Sequence, residues 1–192
     1  MFQIRFVAIL LSLLLLTSCV SNWKRIDDKN NVYQNSWFTF NAPAGWMLFD
    51  RGDSVTLSRD GPDLQRIGVV FNEPDKAFPT IKKPASTNML PSELAELTIA
   101  EIRASQKNGM PGMEIVSNMP VTIDGHQGFA LHLRFKLDSG LRYETLVNGF
   151  VTLQGLYALY FRAPTLHFFN RDQVVYNKII ATFRVNHHVQ EK

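Results

Sequence analysis

The sequence contains a single cysteine, Cys19, among its 192 residues. One thiol forms no intramolecular disulfide, so the fold depends on its hydrophobic core alone. There is also no strong excess of either charge, because 20 Lys and Arg residues are scattered among 17 Asp and Glu residues. Nucleic-acid binding needs basic residues clustered on one face. We therefore expect no nucleic-acid partner, and 14 phenylalanines and 3 tryptophans make a sizeable core plausible.

Sequence motifs for catalysis are absent as well. The chain has no G-x-S-x-G nucleophile elbow, no H-E-x-x-H zinc motif and no G-x-x-x-x-G-K phosphate loop. His187 and His188 are adjacent near the chain end, without the spacing of a metal site. His126 and His132 could join a catalytic set with Asp124, but the sequence nominates no nucleophile. We expect surface histidines, no metal, no cofactor and no enzyme.

The amino terminus has the pattern of a secretion signal. Residues 6–16 form an apolar run of eleven, broken by one serine, whereas a membrane-spanning helix needs about 20. The LTSC that ends at Cys19 resembles the lipobox of bacterial lipoproteins, in which the cysteine is acylated. This resemblance implies that residues 1–18 are a signal peptide. Cys19 would carry a covalent diacylglycerol and an N-acyl chain such as palmitate.

Two other interpretations of this terminus remain open: an ordinary cleaved signal with an incidental cysteine, or a short buried helix. With two or more acyl chains, anchoring to the membrane would be stable. Val20 follows the cysteine, and by resemblance to Gram-negative lipoproteins it implies the outer membrane, facing the periplasm. Residues 19–35 are polar with mixed charge, which predicts the lipidated cysteine and a flexible tether.

The pattern of residues 36–186 predicts one folded domain, with 187–192 as a tail. Alternating residues predict short strands over 38–41, 54–59 and 65–72, followed by a helix that begins at Pro91. About four strands come next, with Asp124-Gly125 as a hairpin turn, and a last helix begins near Asn170. On the strand after that turn, the face with His132 is expected to be solvated. This order predicts an α+β fold, a three-layer α/β/α sandwich with a mainly antiparallel sheet.

A long loop over residues 72–90 points to a binding role, since most connections are only about 4–6 residues long. Phe78 and Ile81 are apolar residues in a polar segment, next to Lys82 and Lys83. If exposed, these four would contact a partner. Alternatively, Phe78 and Ile81 staple the loop onto the domain.

Several short motifs, in this order, resemble the PsbP-like family, which includes photosystem II extrinsic proteins, a Ran-binding import factor and DcrB-like bacterial lipoproteins. The motifs are F-x-F-x-x-P-x-G-W at 38–46, SELAEL at 92–97, Y-x-L at 157–159, AP at 163–164 and NKIIATF at 177–183. The likeness covers roughly residues 35–186. It implies an α/β/α sandwich that acts mostly without catalysis, as scaffold, adaptor or chaperone.

The expected function is therefore a non-enzymatic, lipid-anchored envelope protein that binds another envelope protein through its sheet edge or the 72–90 loop. One alternative is a carrier of a small apolar ligand in a pocket between helix and sheet. A third is an envelope hydrolase with an unrecognised site near His126 or His132.

Overall fold

The structure of the chain, a computed structural model, covers the folded domain and most of the segment that precedes it. The predicted signal peptide, the lipidation site Cys19 and the histidine pair His187 and His188 lie outside the described residues. No helix in the described part is long and apolar enough to cross a membrane. The described residues are 22–29, 31–106, 110 and 112–186.

The described residues form two sheets and two helices. The strands are β1 (Trp23–Arg25), β2 (Val32–Gln34), β3 (Phe38–Asn41), β4 (Met47–Asp50), β5 (Ser54–Ser58), β6 (Arg66–Asn72), β7 (Glu114–Ile123), β8 (His126–Lys136), β9 (Arg142–Val151), β10 (Leu156–Pro164) and β11 (Arg184–Val185). The helices are α1 (Pro91–Ser105) and α2 (Asn170–Thr182).

All paired neighbours in both sheets are antiparallel. The large sheet has the order β1-β4-β5-β6-β10-β9-β8-β7, and the small one has the order β11-β3-β2. The long strands after α1 form a meander because tight turns join them. At the first of these turns, Asp124 and Gly125 have φ angles of +49° and +79°, as a type I′ hairpin requires.

The large sheet has a separate hydrophobic core on each face. On one face, residues such as Leu57, Phe161 and Tyr176 pack among the large sheet, the small sheet and α2. On the other face, residues such as Leu94 and Phe129 pack among the sheet, α1 and the 72–90 loop. This arrangement confirms the predicted α+β sandwich with a mainly antiparallel sheet between helical layers. On β10, Tyr157, Leu159 and Phe161 are fully buried on the face toward α2, whereas Ala158 and Tyr160 on the other face are half-buried.

The structure corrects the predicted tether over part of its length. β1 and β2 lie within residues 19–35 and pair with β4 and β3, respectively. The rings of Trp23 and Phe49 are 5.4 Å apart between centroids, and Ile26 belongs to the core. Strands of three residues are too short to show alternation, so only their tertiary partners reveal them.

Both helices begin where the sequence predicts, but their first turns are capped differently. At α1, Pro91 takes the first position and the Leu90 backbone N–H donates to the Glu93 carboxylate at 2.7 Å. At α2, Asn170 is the first helical residue, and Phe169 before it makes no side-chain capping bond. A π-type turn over Thr165–Phe169 precedes α2 and directs the chain from β10 into the helix.

Candidate functional site

The 72–90 loop is docked on the domain, and the predicted contact through Phe78 is wrong. Phe78 is 2% exposed, and its backbone pairs with Lys83 through two hydrogen bonds of 3.1 and 3.2 Å. The backbone N–H groups of Thr80 and Ile81 donate to the Glu101 carboxylate on α1. Ile81 is half-buried against the same cluster. Phe78 and Ile81 therefore hold the loop against the domain by apolar packing, as the staple alternative predicts.

Lys82 and Lys83, the two lysines next to Ile81, remain exposed. Lys82 has a φ angle of +54°, a left-handed conformation at the tip of the short Phe78–Lys83 bridge. Of the four residues predicted to contact a partner, only Lys82 and Lys83 are therefore presented to solvent.

The structure does not bring Asp124, His126 and His132 together. Asp124 accepts a hydrogen bond of 2.8 Å from the Val185 backbone and lies 3.6 Å from the Arg184 guanidinium, so it fastens β11 to the hairpin. His126 stacks on Phe150 with ring centroids 5.0 Å apart. His126 and His132 are six residues apart on one strand, roughly 20 Å at the usual rise.

His132 has a partner of its own, and the prediction that its face of β8 is solvated is wrong at this position, although Lys136 farther along the same face is exposed. Its Nε2 lies 2.5 Å from the Glu144 carboxylate, and its ring stacks on Phe169 with centroids 5.5 Å apart. The turn before α2 covers this part of the sheet, so the ring is half-buried. In the part of the chain that the structure describes, no hydroxyl or thiol is hydrogen-bonded to His132, and no group of three His, Cys, Asp or Glu residues could hold a metal ion.

A polar cluster anchors α2 to the β5–β6 turn. Asp172 is 1% exposed and lies 2.8 Å from the Arg59 guanidinium and 2.6 Å from that of Arg171. Arg171 also pairs with Asp60, and the hydrogen bond from Arg171 holds the pKa of the Asp60 carboxyl below its usual value. Because each buried charge here has a partner, the cluster is explained by its role in packing.

An apolar groove of about 370 Å³ opens between the carboxyl-terminal half of α1 and the large sheet. Small-molecule sites in proteins fall in the range of about 300–1,000 Å³. We call it the α1 groove; its apolar walls come from Ile102, Met113, Leu133, Phe135, Val147 and Ala158.

The groove exists because the covering layer on this face is incomplete. α1 packs mainly on β8, with contacts to β7 and β9, and the loop with Phe78 covers the end of the sheet near Leu156. Among the described residues, no loop covers the opposite end of β10, toward Arg162, in this way. There the ring of Tyr160 lies across the next strand over Gly68, where a Cβ would be 2.2 Å from the ring.

Two arginines stand at one end of the groove. Arg66 on β6 and Arg162 on β10 are directly opposite each other in the antiparallel register, and both line the groove. The Arg162 guanidinium lies over the rings of Phe135 and Tyr143, 4.7 and 4.9 Å from their centroids. Burial lowers the pKa of Arg162, and the charge of Arg66 lowers it further.

Sequence reasoning missed both arginines. The available signal was Arg162 itself, a single charged residue at the end of an otherwise apolar strand, GLYALYFR. Nothing in the sequence alone indicates that Arg66 pairs with it, since 96 positions separate the two residues.

The edge strand β7 exposes apolar side chains to solvent. It is ten residues long, and both its faces are mostly exposed. Ile115, Val116 and Met119 are exposed by 45%, 39% and 61%, respectively. A bulge between Ile115 and Ser117 and the proline at position 120 interrupt the strand, which is how proteins limit accidental edge pairing. Three exposed apolar side chains nevertheless remain on it.

Comparisons with known proteins show the fold. No protein-family model and no curated protein matches the sequence. Cyanobacterial PsbP from Synechocystis superposes with a TM-score of 0.55 at 14% identity, covering 89% of this chain and 99% of that one. The yeast Ran-binding protein Mog1p superposes with a TM-score of 0.51 at 11% identity, covering 78% and 90%.

A protein from Bacteroides thetaiotaomicron gives a TM-score of 0.53 at 15% identity over 85% of this chain. The match spans about half of that protein, 51% of its length. These identities are low, so they establish architecture and not activity. Together with the observed strand order and the two helical layers, they show that the described domain has the PsbP-like fold.

Proposed function

We propose that this chain is a non-enzymatic, lipid-anchored adaptor of the bacterial envelope that binds another envelope protein. The exposed apolar edge of β7 carries this proposal. An edge strand offers unpaired backbone donors and acceptors, and apolar side chains there favour a protein partner. The likeness in fold to a Ran-binding protein supports a binding role.

The anchor in this proposal is Cys19, and the location is the outer membrane, facing the periplasm. The LTSC at residues 16–19 and the neighbouring Val20 support both. A surface edge presented on a lipid-anchored domain would meet envelope proteins and not cytoplasmic ones.

Photo-crosslinking in intact cells tests the adaptor role by comparing crosslinks formed from β7 with crosslinks formed from another exposed site. A photoreactive amino acid replaces Met119 on β7 in one strain and Leu153 in a matched control, because Leu153 is 89% exposed in the β9–β10 turn. We expect a discrete crosslinked protein from position 119 only. Addition of Ile115→Lys on the same strand should reduce its yield.

Other crosslinking patterns would refute parts of the proposal. Further strains carry the photoreactive amino acid at position 82 or 83, and a product from these but not from position 119 would place the contact on the 72–90 loop. A product with the mass of two copies of this chain would indicate self-association and not an adaptor.

A carrier of a small apolar ligand is the second candidate function, and the α1 groove is the observation that favours it. The interior between helix and sheet is not fully packed there. An apolar chain could enter without displacing a core residue, because about 370 Å³ of space already lies between the described residues of α1 and the sheet.

A further inference from the structure

The α1 groove combines apolar walls with two positively charged side chains, of which only Arg66 has an ion-pair partner in the described part of the chain. Arg66 and Arg162 share one face of adjacent strands in direct register, an arrangement that destabilises a sheet when the charges are alike. In the described part of the chain, no carboxylate forms an ion pair with Arg162. The structure therefore places two guanidinium groups side by side at one end of an apolar groove.

The groups around the arginines do not neutralise this charge. Arg66 donates through Nε to the Pro62 carbonyl at 3.2 Å and lies 3.9 Å from Asp63, whose carboxylate is fully exposed and screened by water. Phe135 and Tyr143 orient the Arg162 guanidinium but carry no net charge. The end of α1 adds only about half an elementary negative charge. Two positive charges remain largely available.

The size of the groove selects the kind of occupant. A volume of about 370 Å³ suits a small molecule and is too small for a folded partner or a helix. Its apolar walls, Leu133 and Val147 among them, favour a hydrocarbon chain, whereas the arginine pair favours an anion. One molecule satisfies both only if it is amphipathic.

We propose that the α1 groove binds a single-chain amphiphile with an acidic head group, a carboxylate or a phosphate. The head group contacts Arg66 and Arg162, and the chain lies along Ile102, Leu133 and Val147. This inference rests on the carrier function and adds to it the charge of the ligand and the residues that recognise it.

Calorimetric titration of the full-length chain carrying Cys19→Ser tests this directly, because no acyl chain on the protein then competes. The probes are dodecanoate, dodecyl phosphate, neutral dodecyl maltoside and inorganic phosphate, with the three amphiphiles kept below their micelle-forming concentrations. We expect at least one of the two anionic amphiphiles to bind at least about tenfold more tightly than either the neutral amphiphile or phosphate alone. Comparison of carboxylate with phosphate identifies the preferred head group.

Substitutions locate the binding. Arg162→Met should lower the affinity for the preferred anionic amphiphile by about tenfold or more. Arg25→Met is the matched control, since Arg25 is exposed on the strand at the far edge of the sheet and should change nothing. Should Arg162→Met fail to fold, Ala158→Phe keeps both charges and should block the groove.

The outcomes separate this inference from the carrier function. If dodecyl maltoside binds as tightly as dodecanoate and Arg162→Met has no effect, the chain is an apolar carrier and the inference is wrong. If no amphiphile binds, both are wrong. If inorganic phosphate binds as tightly as dodecyl phosphate, the hydrocarbon chain does not occupy the groove and the inference is again overturned.

Discussion

At the scale of single residues, Gly68 sets the position of one groove wall. Its Cα lies so close to the Tyr160 ring that a methyl group would be 2.2 Å from it. We expect Gly68→Ala to lower the free energy of unfolding by about 1–3 kcal/mol through overpacking. Urea unfolding of the two single variants and the double variant measures this. In the Tyr160→Ala background, Gly68→Ala should lower the free energy of unfolding by much less than it does in the wild type. Strict additivity of the two substitutions would show that the ring contact is not the cause.

Asp60 gives a prediction for pH at the same scale. The hydrogen bond from Arg171 lowers the pKa of folded Asp60, so its contribution to stability is present above the unfolded pKa of about 3.9. That contribution should be lost as the pH falls through the lowered value. Asp60 is 37% exposed, so we expect Asp60→Asn to cost less than about 1 kcal/mol at pH 7.

Urea unfolding of the wild type and Asp60→Asn at pH 7 and near pH 2.5 checks this expectation. The difference between the two proteins should shrink at the lower pH. A difference that stays constant or grows on acidification would show that the ion pair does not stabilise the fold. Asp63→Asn is a control, because that carboxylate is fully exposed and 3.9 Å from Arg66.

At the scale of elements, the docked 72–90 loop behaves as part of the α1 layer. Phe78 is buried with α1, and Glu101 on that helix accepts hydrogen bonds from the loop backbone. We expect Phe78→Ala to lower the free energy of unfolding by about 3–5 kcal/mol, as for other buried aromatic residues. Lys82→Ala should leave it within about 0.5 kcal/mol. A small effect of Phe78→Ala on the free energy of unfolding would contradict its buried position and would support the alternative in which the loop is exposed to a partner.

The strands of the meander were predictable because each buried face repeats every second residue. On β8, Phe129, Leu131, Leu133 and Phe135 are buried as their alternation indicates. The burial of His132 on the opposite face could not be predicted, since it depends on contact with Phe169, which lies far away in the sequence in the turn before α2. The same applies to β4, a four-residue strand that resumes after Pro43 and Gly45 and is recognisable mainly by its pairing with β5.

At the scale of the whole molecule, the anchor and the domain act together in the proposed function. We expect Cys19→Ala to release the protein from membranes or to leave it unprocessed, because no acyl chain can then be attached. Fractionation and gel mobility of the mutant measure this. Val20→Asp provides a control that keeps the cysteine, and by resemblance to Gram-negative lipoproteins it should shift the protein toward the inner membrane. A Cys19→Ala protein that fractionates and migrates like the wild type would refute the lipid anchor.

The two faces of the large sheet differ in how completely they are covered. The face toward α2 is closed by a helix, a turn and the small sheet together. The face toward α1 has one helix and one loop, which together leave the groove beside Arg162. The proposed ligand site and the proposed partner edge thus belong to different parts of the same sheet, so the substitutions at Met119 and Arg162 test them independently.

The sequence by itself determined the sandwich: the alternation of apolar residues defined the long strands, the stripes of Leu94 and Tyr176 defined the helices, and Asp124-Gly125 defined a turn. These are local patterns, and local backbone preferences are enough to encode them. Tertiary structure alone decided that Phe78 is buried and that Arg66 lies opposite Arg162. Such contacts join residues far apart in the chain, and they form only when packing and strand register bring them together.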